Sequence, residues 1–285
     1  MLPVKKTSCW RKIPSDEYHK AEAFLREREK FCVAACARFL KIEKKSGHVW
    51  RLDNPDGEIS ALLLHSRRSL FPVFGNTNHI PGPRFLSRFL GRVPIHALQG
   101  LREDAKLLES LMEGQGYFEP EKIDYDLMSM DSAPKHEALA QGPQGLILRQ
   151  PRPNDEEQLF ELQSAYEQEE VLPQNAVFNP AACRLNIKHI LSRESVLVAE
   201  MDNKVVGKIN TSAESFTRYQ IGGVYVRPDY RSLGIGVRMT SVFAQNLLAQ
   251  GRALNLFVKK RNTAARKIYL KAGFTILADY RINYY

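Results

Sequence analysis

The chain has 285 residues, enough for one large domain or two ordinary ones, and its 44% hydrophobic and 26% charged residues are those of a soluble globular protein. The net charge of +9 is spread along the chain, with no basic stripe interleaved with aromatics, which argues against nucleic acid as a partner. No apolar run approaches the ~20 residues that span a bilayer, which argues against a membrane partner.

Met1–Lys6 carries charge with no apolar core behind it, so no secretory leader is expected and the cytoplasm is the expected compartment. A long amphipathic helix is predicted over about Asp16–Leu40. Its apolar face carries Phe24, Leu25, Cys32, Ala35, Cys36 and Phe39, so the two cysteines read as buried small hydrophobes. Cys9 and Cys183 stand apart, and the histidines are scattered with no H-x-x-x-H pair, so no metal site is expected. Strand-like runs at His48–Leu52 and Ile59–His65, the latter continuing through Leu70–Phe74, flank the turn Asn54-Pro55-Asp56-Gly57. Val93–Leu98 reads as a strand. Leu101, Ala105, Leu108 and Met112 mark a helix, and Ile123–Met128 reads as a closing strand. Pro134, Gly142, Pro143 and Gly145 then punctuate a linker. The expected division is an N-terminal α/β domain over 1–130, a linker over 131–145 and a second domain over 146–285.

The second half opens with a strand over Gly145–Arg149. A helix capped near Asn154-Asp155 follows, bearing Leu159, Leu162 and Ala165. An acidic connection, Glu167–Pro180, leads to a helix over Arg184–Leu191. Two strands come next, Ser195–Glu200 and Val205–Thr211, joined by the turn Met201-Asp202-Asn203-Lys204. Ile221–Val226 is a further strand. After the turn Arg227-Pro228-Asp229 comes Arg231-Ser232-Leu233-Gly234-Ile235-Gly236, opening a helix whose stripe is Thr240, Phe243, Ala244, Leu247 and Leu248. A strand, a glycine-bearing loop and a helix N-terminus make an anion site, and Arg227, Arg231 and Arg238 add positive charge. Leu254–Val258 is another strand. Asn262-Thr263 caps a helix carrying Ala265, Ile268, Tyr269 and Ala272, Gly273 ends it, and Phe274–Leu277 begins a strand.

The block from Val224 to Phe274 resembles the GNAT N-acetyltransferases. The residues that carry the likeness are Val224-Tyr225-Val226-x-Pro228-x-x-Arg231-x-x-Gly234-x-Gly236, then Asn262-x-x-Ala265-x-x-x-Tyr269-x-x-x-Gly273-Phe274. The resemblance implies an α/β fold for the second half: a twisted mixed sheet with helices on both faces, in the order βααβββαβαββ. It implies acetyl-CoA as cofactor and a small-molecule or peptide amine as acceptor, acetylated by direct attack. The cofactor-binding residues implied are Val224, Tyr225, Val226, Arg231, Ser232, Leu233, Gly234, Ile235, Gly236, Val237, Asn262, Ala265, Arg266 and Tyr269. The N–H of Val224 would face the thioester oxygen, and Tyr269 would protonate the leaving thiolate, unless it is a core tyrosine. Asn262 serves the cofactor, the helix N-cap, or both. Gly222-Gly223 suits a bulge that splays the strand, or simply close packing.

Some relatives carry a glutamate where this chain has Gln220, which takes no proton at neutral pH. A water chain, another carboxylate such as Glu214, or an amine arriving neutral would replace it. Glu167, Glu169 and Glu170 either attract a cationic acceptor or form a solvated charge run. The missing carboxylate keeps a second reading open, a non-catalytic acyl-CoA sensor or scaffold. The first half is loosely similar to a GNAT half repeated, smaller or degenerate. Its nearest approach to the glycine loop, Arg88-Phe89-Leu90-Gly91-Arg92-Val93, is followed by Pro94 and a strand, and Gly100 stands alone. It is expected to carry no coenzyme A.

Overall fold

Tyr18, Ala21, Phe24 and Leu25 bury one stripe of the first helix, α1 (Tyr18–Arg28), which follows a short strand, β1 (Arg11–Lys12). The helix ends at Arg28, and a 3-10 turn over Glu29–Phe31, in which Glu29 is itself buried, and an irregular Cys32 (φ −138, ψ 36) break the run. The second helix, α2 (Val33–Lys41), is re-aimed so that Val33, Ala35, Cys36, Ala37 and Phe39 are buried. The single long helix expected over Asp16–Leu40 is therefore two. The computed structural model describes residues 10–42, 48–75, 83–90, 93–119, 121–173 and 176–285. Met1–Lys6, Cys9 and the Gly91-Arg92 pair lie outside the described residues.

The rest of the first half is β2 (Val49–Asp53), β3 (Ile59–Ser66), β4 (Ser69–Phe74), α3 (Pro83–Leu90), β5 (Ala97–Leu101), α4 (Arg102–Glu113) and β6 (Glu121–Met130). A tight turn at Arg67-Arg68, both with left-handed φ (49 and 61), separates β3 from β4. Helix α3, with Pro83 at its first position, is not among the expected elements. The second half is α5 (His136–Leu139), β7 (Ile147–Arg149), α6 (Glu156–Tyr166), a π-helical turn (Glu167–Val171), α7 (Pro180–Arg193), β8 (Val196–Met201), β9 (Lys204–Glu214), β10 (Arg218–Val226), α8 (Ile235–Leu248), β11 (Ala253–Lys259), α9 (Thr263–Ala272) and β12 (Thr275–Tyr284). The two closing strands expected are one ten-residue strand.

Two compact units result, Met1–Tyr125 with Ala278–Tyr285, and Asp126–Leu277. The segment expected as a linker, 131–145, belongs to the second unit: Lys135 N donates to Ala272 O at 3.3 Å, and Gly142 lies against Gly234. The last residues, 278–285, belong to the first unit, where Tyr280–Tyr284 pair antiparallel with β5. Each unit thus takes its closing strand from the other half of the sequence.

The units share one pairing scheme. In the first, β2, β3 and β4 are antiparallel and β4 runs parallel to β5. In the second, β8, β9 and β10 are antiparallel and β10 runs parallel to β11, in the order β6-β11-β10-β9-β8-β7. In both, two helices precede the three antiparallel strands, and one helix crosses over to the parallel strand. The second unit's sheet buries two layers. Ile221, Leu254, Leu256 and Val258 pack with Met239, Phe243 and Leu247 of α8 on one face, and Val198, Val205 and Tyr225 pack with Leu159, Leu162 and Ile187 of α6 and α7 on the other.

Candidate functional site

Strands β10 and β11 pair in parallel from Arg218↔Ala253 to Ile221↔Leu256 and then part. The expected bulge lies at the parting. The register between β10 and β9 shifts across Gly222 to Tyr225, and Gly223 sits at φ +58. An open fork follows, lined on one side by Val224, Tyr225 and Val226. The β11 strand on the other side runs on through Phe257 to Lys259. Past the last pair Val224 has no register partner on β11, while the Val226 carbonyl accepts from Arg231 Nε at 3.0 Å, so the fork at Val224 is a place for an extended, amide-bearing ligand.

Strand β10 runs out of the fork into a 3-10 turn at Pro228–Tyr230 and then the loop at Arg231–Gly234. Ser232 (φ 65) and Gly234 (φ 82) are both left-handed, and Gly234 caps the 14-residue α8. Left-handed residues just before a helix turn successive N–H groups toward one concavity, and the helix dipole favours an anion there. A Cβ on Gly234 would come within 2.9 Å of Gly142 N, so this residue is fixed by space as well as by φ. Gly236 is buried, and a Cβ there would lie 3.0 Å from Ile268 Cδ1, so this glycine sets the approach of α8 to α9.

The carboxylates of the acidic connection are solvent-accessible in part, Glu169 being exposed, and each has hydrogen-bond partners. Glu169 accepts from Tyr225 Oη at 2.6 Å and from Arg231 Nη2 at 2.8 Å. Those bonds outweigh burial and hold its carboxyl below the usual range, while burial and Glu169 push the Tyr225 phenol up to about 12. Glu170 accepts from Asn262 Nδ2 at 2.9 Å, and Glu167 accepts from Gln163 and Asn186, each at 2.8 Å. Asn262 also caps α9, its Oδ1 accepting from Ala265 N at 2.9 Å. Two of the three flanking arginines are likewise engaged: Arg231 with Glu169, and Arg227 with Glu161 at 2.7 Å. Arg266 pairs with Asp126 at 3.1 Å.

Tyr269 is 7% exposed and packs edge-on against Phe274 at 6.2 Å. Burial pushes its phenol up, with Tyr166 and Glu170 adding to the effect, so it keeps its proton at neutral pH. Gln220 donates to Ser212 Oγ at 3.1 Å, while its Oε1 is buried and has no hydrogen-bond partner among the described residues. Glu214 stands at the end of β9, opposite Tyr219, and is held by Arg252 at 2.9 Å.

Sequence reading missed Lys208. It lies in the apolar run Val205-Val206-Gly207-Lys208-Ile209 and is wholly buried. Its Nζ donates to Asn210 Oδ1 and to Gly223 O, both at 3.0 Å. A lone lysine inside an apolar strand was the available signal.

Residues 156–274 match the Acetyltransferase (GNAT) family and form a GNAT domain. No curated protein matches the sequence. Among solved structures, a GCN5-related N-acetyltransferase from Sphaerobacter thermophilus is 19% identical, with a TM-score of 0.58 over 99% of this chain and 96% of that one. A Drosophila protein is 10% identical, with a TM-score of 0.61 over 98% of this chain and 99% of that one. A GCN5-related N-acetyltransferase-like protein from Streptococcus suis is 16% identical, with a TM-score of 0.54 over 93% and 99%. The whole chain therefore shares its fold with GNAT proteins.

Proposed function

We propose that the second unit binds acetyl-CoA and transfers its acetyl group to a primary amine of a small molecule or peptide. The observation that carries this reading is the open fork of β10 and β11 leading straight into the left-handed loop at Ser232–Gly234. The backbone of Val224, Tyr225 and Val226 would hold the pantetheine amides. The loop N–H groups from Arg231 to Val237 would hold the pyrophosphate, with Asn262, Ala265 and Arg266 alongside. Bound there, acetyl-CoA supplies an activated thioester carbonyl. The N–H of Val224 would face the oxygen that gains charge, and Tyr269, which holds its proton at neutral pH, would supply it to the departing sulfur. For Arg231 and Asn262 to turn to the cofactor, Glu169 and Glu170 must give up their present bonds, which frees carboxylates beside a cationic acceptor.

Titration calorimetry with acetyl-CoA tests the reading. Binding at one molecule per chain is expected, and no heat at millimolar ligand would sink it. Tyr269→Phe keeps the packing on Phe274 and removes the proton. Its kcat in a thiol-release assay should fall by roughly 100-fold, the scale of general acid catalysis. An unchanged kcat would remove that role from the phenol.

Gln220 favours one alternative. No carboxylate occupies its position, as a non-catalytic acyl-CoA sensor would allow. Binding without thiol release over amines, polyamines, amino acids and peptides would select the sensor.

For the first unit we propose a GNAT-like domain without coenzyme A. Its own fork, past the last β4–β5 pair Leu70↔Leu98, opens on a cavity of about 200 Å³ lined by Arg28, Cys32, Pro72, Phe74, Gly100 and Asp104. Pro72 has no N–H, and the N–H of Phe74 already donates to Asp104 Oδ2 at 3.1 Å. That edge has little left to offer a pantetheine amide. Among the described residues no helix is long and apolar enough to cross a membrane, and the cytoplasm is the proposed compartment.

A further inference from the structure

We infer that Lys208 is a positioning residue for acyl transfer, holding the Gly223–Val224 peptide so that the Val224 N–H points into the fork. The inference rests on the acyl-transfer reading above, and it names how this chain sets its oxyanion donor.

The geometry is fixed by three residues acting together. Lys208 lies on β9, the neighbour of β10 on the side away from β11. Its Nζ stands over the face of the sheet covered by α6 and α7, by Tyr166, Glu167 and Cys183, and holds the Gly223 carbonyl there. The peptide is planar, and the chain has no cis bond among the described residues, so the C=O of Gly223 and the N–H of Val224 point in opposite directions. A carbonyl held on that face turns the Val224 N–H away from it, at the point where the β11 ladder has ended. Asn210 completes the device. Its Nδ2 donates to Thr211 O at 2.7 Å, which turns Oδ1 to the lysine. A side chain at position 223 would have no room, because its Cβ would fall 2.1 Å from Asn210 Oδ1 and 2.8 Å from Lys208 Nζ. The left-handed glycine, the asparagine and the lysine are one unit of structure.

A sheet interior gains nothing from a buried ammonium, since an apolar side chain there is as good or better. Below about pH 7 the Lys208 ammonium polarises the peptide more than the neutral amine does at higher pH, and it strengthens the N–H at the peptide's other end. The groups facing Lys208 are Glu167 of the π-helical turn, Cys183 of α7 and the Tyr166 ring of α6, 5.2 Å away. Burial brings its ammonium down to about 7, with Glu167 and then Cys183 opposing the fall.

Two measurements test this. In Lys208→Met, acetyl-CoA affinity by calorimetry should change less than roughly threefold while kcat falls on the order of 100-fold, the usual loss for one oxyanion donor. Wild-type turnover that persists within threefold in a folded Lys208→Met would overturn the inference and leave the acyl-transfer reading standing, as would equal losses in affinity and kcat. Wild-type protein that neither binds nor turns over acetyl-CoA overturns both. The second measurement needs no variant to fold well and no acceptor. The Val224 amide resonance in valine-labelled wild type, identified by its loss in Val224→Leu, should move with pH through a midpoint of about 7. A Val224 resonance that is flat from pH 6 to 9 would show that the lysine does not act on that peptide.

Discussion

Gly234→Asp should weaken acetyl-CoA binding by at least about 100-fold, a loss of roughly 3 kcal/mol. Three effects act in one direction. The residue sits at φ +82, where an L side chain costs about 1–2 kcal/mol, although aspartate bears this better than most. Its Cβ would meet Gly142 N at 2.9 Å, so the 141–142 backbone must shift and the loop with it. The carboxylate would then stand at the N-terminus of α8, in the place of the incoming phosphate. Two like charges about 4 Å apart near a protein surface repel by about 4 kcal/mol. One effect opposes: aspartate is a good N-cap, worth about 1 kcal/mol to the helix. Folding should therefore survive better than binding. Gly234→Ala separates the causes, since it shares the crowding and lacks the charge. Calorimetry should rank wild type above Gly234→Ala, and that above Gly234→Asp. Full affinity in both variants would mean that the phosphates do not bind at this loop.

That loop was legible because its signals are local. Gly234, Asn262 and Gly273 announce a left-handed cap, a side-chain cap and a left-handed stop, and each conformation is set within a few residues. The bulge at Gly222-Gly223 was legible for the same reason. What the sequence hid was set by partners distant along the chain. The break at Cys32 follows from which stripe the sheet can bury, and a continuous apolar pattern does not announce it. The loose composition of 131–145 conceals that this segment packs beside Gly234 and α9, and the run after Phe274 gives no sign that its end pairs with β5. For Lys208 the lone lysine in an apolar run was a signal, but its role was hidden for the same kind of reason: alternation along a strand says which face a residue takes, not that Gly223 and Asn210 lie there to accept from it. Glu169 and Glu170 read as surface charge because their partners Tyr225, Arg231 and Asn262 lie far ahead in the chain.

Wild-type stability, measured against Lys208→Met, should rise by about 3 kcal/mol between pH 7 and pH 10. The sign follows from proton counting. In the unfolded chain a lysine titrates near ~10.4. In the fold, burial brings Lys208 down to about 7. Between those values the unfolded state holds the extra proton, so raising the pH favours the fold. Stability is complete above the unfolded value and is lost as pH falls toward 7, where the buried ammonium must form. Other lysines and tyrosines titrate over the same range, and subtraction of the methionine variant removes them. The variant also leaves Gly223 O and Asn210 Oδ1 without their donor. That deficit of roughly 1–3 kcal/mol per group does not change with pH and shifts the whole curve instead of tilting it. Both tryptophans, Trp10 and Trp50, lie in the first unit, so urea melts should be followed by circular dichroism rather than fluorescence. A pH-independent difference between the two proteins would mean that Lys208 is charged in the fold at pH 8 to 9 and reaches water.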